Sequence, residues 1–235
     1  MKNTYLVLII ILSLSFSIHS QELTLIGGHG SGNSGSGQLL STTPVVLNDR
    51  VDGTPYINEK FSPAVISASE NNIFYVRYNA VKDEIEVKGE HNSAYALNKY
   101  RRDITIQLIA QKKTYQNFMY IDSDNTQTFD YFVHISDPKA NIKLLKKEVV
   151  KFFDEKVQVT GYDTPQDAKF KRLADKYFIK KGNENAIVIP SNKKEFAKLF
   201  PKHEQEVFSY LKSERIKLKK EESLSKLFSY LNSLK

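Results

Sequence analysis

The sequence predicts an α+β protein: an antiparallel β-rich domain (a meander, half-barrel or sandwich) followed by a small C-terminal helical subdomain. Three observations carry this expectation. From about Val45 to Ser136, short segments of alternating apolar and polar residues are separated by turn chemistry. From Ser191 onward the apolar period changes from two to three or four. The 235 residues include no cysteine, so a hydrophobic core must hold the fold, and a chain of this size can build one.

The first twenty residues read as a secretory signal peptide. Lys2 supplies a positive n-region, Tyr5 to Leu12 an apolar run, and Leu14 to Ile18 its serine-interspersed extension. Ser20 is a small residue before the expected cut at Gln21. The competing reading, a membrane anchor, needs about 20 consecutive apolar residues. This run is shorter, is diluted by Ser13, Ser15 and Ser17, and ends at His19. The expected location is therefore secreted or periplasmic, with no transmembrane span in the mature chain and no lipid-anchoring cysteine.

Residues 21–43 read as a flexible linker, because GGHGSGNSGSG (Gly27 to Gly37) is polar and glycine-rich. Gly30, Gly32 and Gly35 match G-x-G-x-x-G. A dinucleotide site needs a strand before that motif and a helix after it, and Ser41 to Pro44 follow instead. No cofactor is expected. The G-x-S-x-G elbow and the Walker motif are absent.

The β-rich domain is expected over 44–190. NIFYVRYN (Asn72 to Asn79) and DEIEVK (Asp83 to Lys88) read as a hairpin around Ala80 to Lys82. In the second strand Ile85 and Val87 face the core, while Glu84, Glu86 and Lys88 form a wet face. Tyr95 to Leu97, Asp103 to Gln111, Asn117 to Ile121 and Thr128 to Ile135 continue the meander. Ile142 to Phe153 fits both a helix, through Leu144, Leu145, Val149, Phe152 and Phe153, and a strand, through VVKFF. Lys176 to Lys180 and Ala186 to Ile189 read as a hairpin around Gly182 and Asn183.

The helical subdomain is expected over 191–235. Ser191 caps a short helix carrying Phe196, Leu199 and Phe200. Glu204 to Glu214 aligns Val207, Tyr210 and Leu211. Glu221 to Leu234 aligns Leu224, Leu227, Phe228, Leu231 and Leu234, a stripe expected to pack internally.

Charge divides the mature chain. Gln21 to Pro138 carries ten basic and fourteen acidic residues; Lys139 to Lys235 carries twenty-three and thirteen. The basic half suits anionic envelope components or another envelope protein as a partner. Nucleic acid is not expected: twenty-one of those twenty-three are lysine, and no nucleic-acid-reading motif is present.

Candidate chemistry is sparse. His29, His91, His134 and His203 lack metal-ligand spacing. Asp122 and Asp124 open like a calcium loop, but Gln127 occupies the position that needs glycine. Asp83, Glu84 and Glu86 could supply a carboxylate pair, although alternation with apolar residues is the ordinary pattern of a sheet's solvated face. No catalytic, cofactor or metal residue is assigned.

The elements GTPYINEKF (Gly53 to Phe61), VRYNAVKDEIEVKG (Val76 to Gly89), YAL (Tyr95 to Leu97), KYFIKKGN (Lys176 to Asn183), KKEFAKLF and the segment ending FSYLNSL resemble a group of uncharacterised secreted proteins of Bacteroidota-type bacteria. Those proteins open with G-x-P-Y-x-N-x-x-F. The resemblance spans most of residues 53 to 234 and implies a strand over Ile142 to Phe153. It implies no activity. The expected function is thus an exported, non-enzymatic, envelope-associated structural or binding protein. The alternatives are a small-ligand or glycan-binding β module using a Tyr and Phe sheet face, and a carboxylate-based hydrolase.

Overall fold

The computed structural model describes residues 39–44, 51–91, 93–122, 126–156 and 166–234. The expected signal segment, and residues 21–38 of the expected linker with its glycine motif, lie outside them. Among the described residues no helix is long and apolar enough to cross a membrane.

The molecule is α+β, with strands first and helices last. The early strands are β1 (Leu40–Pro44), β2 (Ser62–Ile66), β3 (Ile73–Asn79), β4 (Glu84–Lys88), β5 (Ala94–Leu97) and β6 (Thr105–Leu108). They lie side by side in the order β1-β5-β4-β3-β2-β6, all antiparallel. Two of them differ from expectation. β1 falls largely inside the segment read as linker, yet it joins the sheet. β2 carries Pro63, which obscures its strand pattern; its place near the strand's start makes the missing N–H tolerable.

The β3–β4 hairpin is closed by Asn79, whose Oδ1 accepts the N–H groups of Val81 (3.2 Å) and Lys82 (3.1 Å). Asp83 then adopts φ +55°, a left-handed conformation that aspartate tolerates better than most residues.

β7 (Lys113–Ile121) is the pivot of the fold. One of its edges pairs with β6 through Lys113 to Gln116. Its other edge pairs with β8 (Gln127–His134). Beyond β8 come β9 (Ile142–Lys147), β10 (Val150–Phe153), β11 (Lys169–Arg172), β12 (Lys176–Lys181) and β13 (Ala186–Val188). β8 pairs with β9, β9 with β12 and β12 with β13. β13 returns in parallel to β7 at Tyr120 and Ile121. The five strands β7, β8, β9, β12 and β13 therefore close into a ring with one parallel seam. β10 and β11 form a separate two-stranded ribbon.

The ring is filled by Phe118, Tyr120, Phe132, Leu145, Phe178 and Ala186. Phe132 and Phe178 meet edge to face at 4.9 Å, and Tyr120 meets Phe178 at 5.3 Å, a geometry that aromatic quadrupoles favour. A second core lies within the meander and includes Ile66, Val76, Tyr78, Ile85, Val87, Ile106, Tyr115 and Tyr131.

The third core joins the helices to the ring. α1 (Lys193–Lys198), α2 (Glu204–Ser213) and α3 (Glu221–Ser233) bring Phe196, Val207, Leu211, Leu224, Leu227, Phe228 and Leu231 against Leu144 of β9 and Ile179 of β12. The cap of α1 is Asn192, not Ser191: its Oδ1 accepts the N–H groups of Lys194 (2.7 Å) and Glu195 (3.4 Å). Tyr210 and Tyr230 stack at 3.8 Å between α2 and α3. The Asn232 amide accepts the Ile142 N–H and donates to the Ile142 carbonyl, at 3.0 and 2.8 Å, tying the end of α3 to β9.

Residues 142–153 thus form two strands. Leu145 fills the ring while Leu144 faces the helices. Burial of both faces removes the alternation that would have marked a strand.

Candidate functional site

A set of two buried aspartates and two partly buried lysines joins the meander to the ring. Asp83 follows the β3–β4 turn, Lys99 follows β5, Asp130 lies in β8 and Lys147 ends β9. The ladder between β8 and β9 runs through Val133 and His134. Further back along β8, the Tyr131 N–H meets the Asp83 carboxylate at 3.1 and 3.2 Å. The Tyr78 hydroxyl donates to Asp83 at 2.7 Å. Lys99 Nζ stands 2.5 Å from Asp83 and 3.3 Å from Asp130. Lys147 is paired with Asp130 and lies 3.2 Å from Asp83. Two aspartates therefore share two lysines.

The electrostatics follow from that sharing. Burial pushes the Asp130 carboxyl upward, but the charges of Lys147 and Lys99 and the hydrogen bonds from Lys147 and Tyr120 outweigh it, leaving it below the ordinary value. Burial pulls the Lys99 ammonium down; Asp83 and Asp130 overcome this and hold it above its ordinary value. Tyr78 is pushed well up by burial and by Asp83. At neutral pH Asp130 is ionised, Lys99 is protonated and Tyr78 is a neutral donor.

Two further buried acids are held in the same way. Glu86 is 0 % exposed. It accepts from Arg77 Nε at 2.8 Å, from the Tyr56 hydroxyl at 3.2 Å and from Asn79 Nδ2 at 3.2 Å. The Arg77 guanidinium lies over the Tyr56 and Phe61 rings, at 3.8 and 4.4 Å from their centroids. Glu148 accepts from Lys113 Nζ at 2.8 Å and from the Tyr115 hydroxyl.

Glu86 corrects the expectation of a wet face shared by Glu84, Glu86 and Lys88. Arg77 is its direct cross-strand neighbour, and Tyr56 and Phe61 from the preceding segment cover the pair. Only Lys88 of the three is exposed. Glu84 is half-buried, and burial raises its carboxyl above the ordinary value.

The histidines stay apart. His91 is exposed, with φ +52°. His203 lies 3.1 Å from Glu206 on α2. His134 sits edge-on to Phe118 at 5.5 Å, with Nε2 2.9 Å from Gln116 Oε1 and Nδ1 buried without a partner. Burial and the nearby Lys143 charge, opposed by Asp137, pull it down to about 4. Asp122 takes part in the β7–β8 turn, its N–H donating to the Thr126 carbonyl at 3.0 Å; Asp124 lies outside the described residues. Among the described residues no cluster of three or more His, Asp or Glu could hold a metal.

A cleft of about 350 Å³ lies elsewhere, between the β8–β9 connection and α3. Ile135, Ser136, Asp137, Ala140, Ser225, Phe228, Ser229 and Asn232 line it. Asp83, Asp130, Glu86 and Glu148 do not.

No family model, no curated protein and no solved structure matches the chain. What the site can do rests on its chemistry. A general acid and a general base need differently tuned groups that face a substrate. Here each of the four buried acids is committed to cationic, hydroxyl or amide groups of the fold itself. Sequence reasoning did not find the Asp83–Lys99–Asp130–Lys147 set, whose members come from four separate segments. The one local signal was Asp83 at the end of a hairpin turn.

Proposed function

We propose that the chain is an exported, non-enzymatic, envelope-associated protein with a structural or binding role. The observation that carries this reading is the pairing of the buried acids. Asp83, Asp130, Glu86 and Glu148 are each neutralised within the fold, and none of them lines the cleft. The signal-like first twenty residues supply the export part of the reading.

Fractionation of the producing cells, with intact-mass measurement of the recovered chain, tests it. The expected product begins at Gln21 and is found in the envelope, periplasm or medium. Full-length chain recovered from the cytoplasm overturns export. A hydrolytic activity that disappears in a folded Asp83→Asn or Asp130→Asn variant overturns the non-enzymatic part.

One observation favours small-ligand binding as a second reading. The cleft beside α3 has a volume within the range of small-molecule sites, with Phe228 at its floor and Ser136, Ser225 and Ser229 around it. Under that reading the ligand meets the helical subdomain rather than an aromatic sheet face. Ser229→Phe should fill the cleft and abolish binding without unfolding the chain.

A further inference from the structure

The ribbon of β10 and β11 presents two different faces. Val150 and Phe170 turn toward the meander core, and Phe152 packs on Phe170 at 5.2 Å. The opposite face carries Lys151, Phe153, Lys169 and Lys171. Lys151 stands directly across from Lys171, and Phe153 directly across from Lys169. All four are exposed, Phe153 at 38 %. The Lys151 ammonium lies 5.5 Å from the Phe153 ring centroid.

Lysines on an exposed strand need no special account. Two lysines facing each other across a ladder do, because like charges directly opposite are destabilising. Among the described residues no ion pair relieves any of the three. Asp52 is bridged to Lys169 through the backbone, but no salt bridge joins them. Arg172, on the other face, is already engaged by Asp175 and by the carbonyls of Val149 and Leu173. Among the described residues the face therefore presents three lysines without an ion-pair partner around an exposed aromatic ring, with Glu155 and Asp167 next in the same register.

We propose that this face docks on an anionic phospholipid bilayer, with Lys151, Lys169 and Lys171 at the headgroups and Phe153 at the acyl boundary. The charge selects an anionic surface. The apolar ring selects a bilayer over a polyanion in water, since a ring gains by leaving water only where an apolar phase receives it. The proposal deepens the envelope-associated reading and rests on it. Its test is made on purified protein, so failure here leaves the fractionation result untouched.

The chain contains no tryptophan, so Phe153→Trp gives a single reporter. With vesicles of equal parts phosphatidylglycerol and phosphatidylethanolamine, the reporter's emission should shift to the blue. The unsubstituted protein should sediment with those vesicles, should ignore phosphatidylcholine vesicles, and should be released by about 1 M salt, where the screening length falls to about 3 Å. Each lysine is expected to contribute about five-fold in affinity. Lys151→Ala, Lys169→Ala and Lys171→Ala together should weaken binding on the order of a hundredfold. Because a like-charge pair is removed, the melting temperature of that variant should stay level or rise. Three results overturn the proposal: no sedimentation with the anionic vesicles, a reporter whose emission does not move, or binding to heparin without binding to vesicles.

Discussion

His134 offers a quantitative test of how tightly the ring is closed. Its imidazole is largely buried against Phe118, with Nδ1 buried and unpartnered and Lys143 nearby. These surroundings favour the neutral ring and pull its pKa from 6.5 down to about 4. A folded-state value below the unfolded one means that the folded chain binds fewer protons. The stabilisation is fully present above about pH 6.5 and is lost as pH falls toward 4. A displacement of this size corresponds to a loss of about 3 kcal/mol by pH 4. Carboxylates such as Asp130 also lose stabilisation in acid, so a reference is needed. His134→Gln keeps a polar group beside Gln116 and cannot titrate. Urea denaturation of both proteins from pH 7 to pH 4 isolates the histidine contribution: the stability gap should move by about 3 kcal/mol in favour of the variant. A proton NMR titration of His134 should place its midpoint well below 6. Parallel pH profiles, or a midpoint near 6.5, would refute the reasoning.

Other predictions concern packing and the backbone. Leu227 is fully buried among the helices, β9 and β12. Leu227→Ala should therefore cost about 2–5 kcal/mol in urea melts, independently of protein concentration; a normal melt with loss of an oligomer would place the stripe at an interface. Gly53 has φ +75°, and a Cβ there would stand 2.6 Å from the Phe170 carbonyl oxygen. Gly53→Ala should destabilise by more than about 1 kcal/mol, and an unchanged melting temperature would contradict that geometry.

The legible parts of the fold were those whose pattern is local and one-sided. Ile85 and Val87 alternate with polar residues, and the α3 stripe recurs at three and four; both occur as the period requires. Leu144 and Leu145 are buried against different cores, so the sequence of β9, which lies between ring and helices, imitates a helix. β2 was hidden by Pro63, and β11 by having lysine and arginine at three of its four positions. The burial of Glu86 was illegible because Tyr56, which covers it, lies 30 residues away. The ionic set was equally hidden: Lys147 and Asp83 are 64 residues apart. The G-x-P-Y-x-N-x-x-F element, noted at first only as a resemblance, acquires physical content. Gly53 allows the close approach of β11, and Tyr56 and Phe61 hold Arg77 against Glu86.

The central claim is that Asp83 and Asp130, through Lys99 and Lys147, tie the meander to the ring. A double-mutant cycle on Asp130 and Lys147 tests it most directly. Asp130→Asn leaves Lys147 mostly buried with Asp83 as its remaining carboxylate, and breaking such a pair costs about 3–5 kcal/mol when desolvation is complete. The lysines here are partly accessible, so a loss of about 2–3 kcal/mol is expected. Adding Lys147→Met should recover a large part of it, with a coupling above about 1 kcal/mol. An Asp130→Asn protein within about 0.5 kcal/mol of the parent, with no coupling to Lys147, would contradict the account.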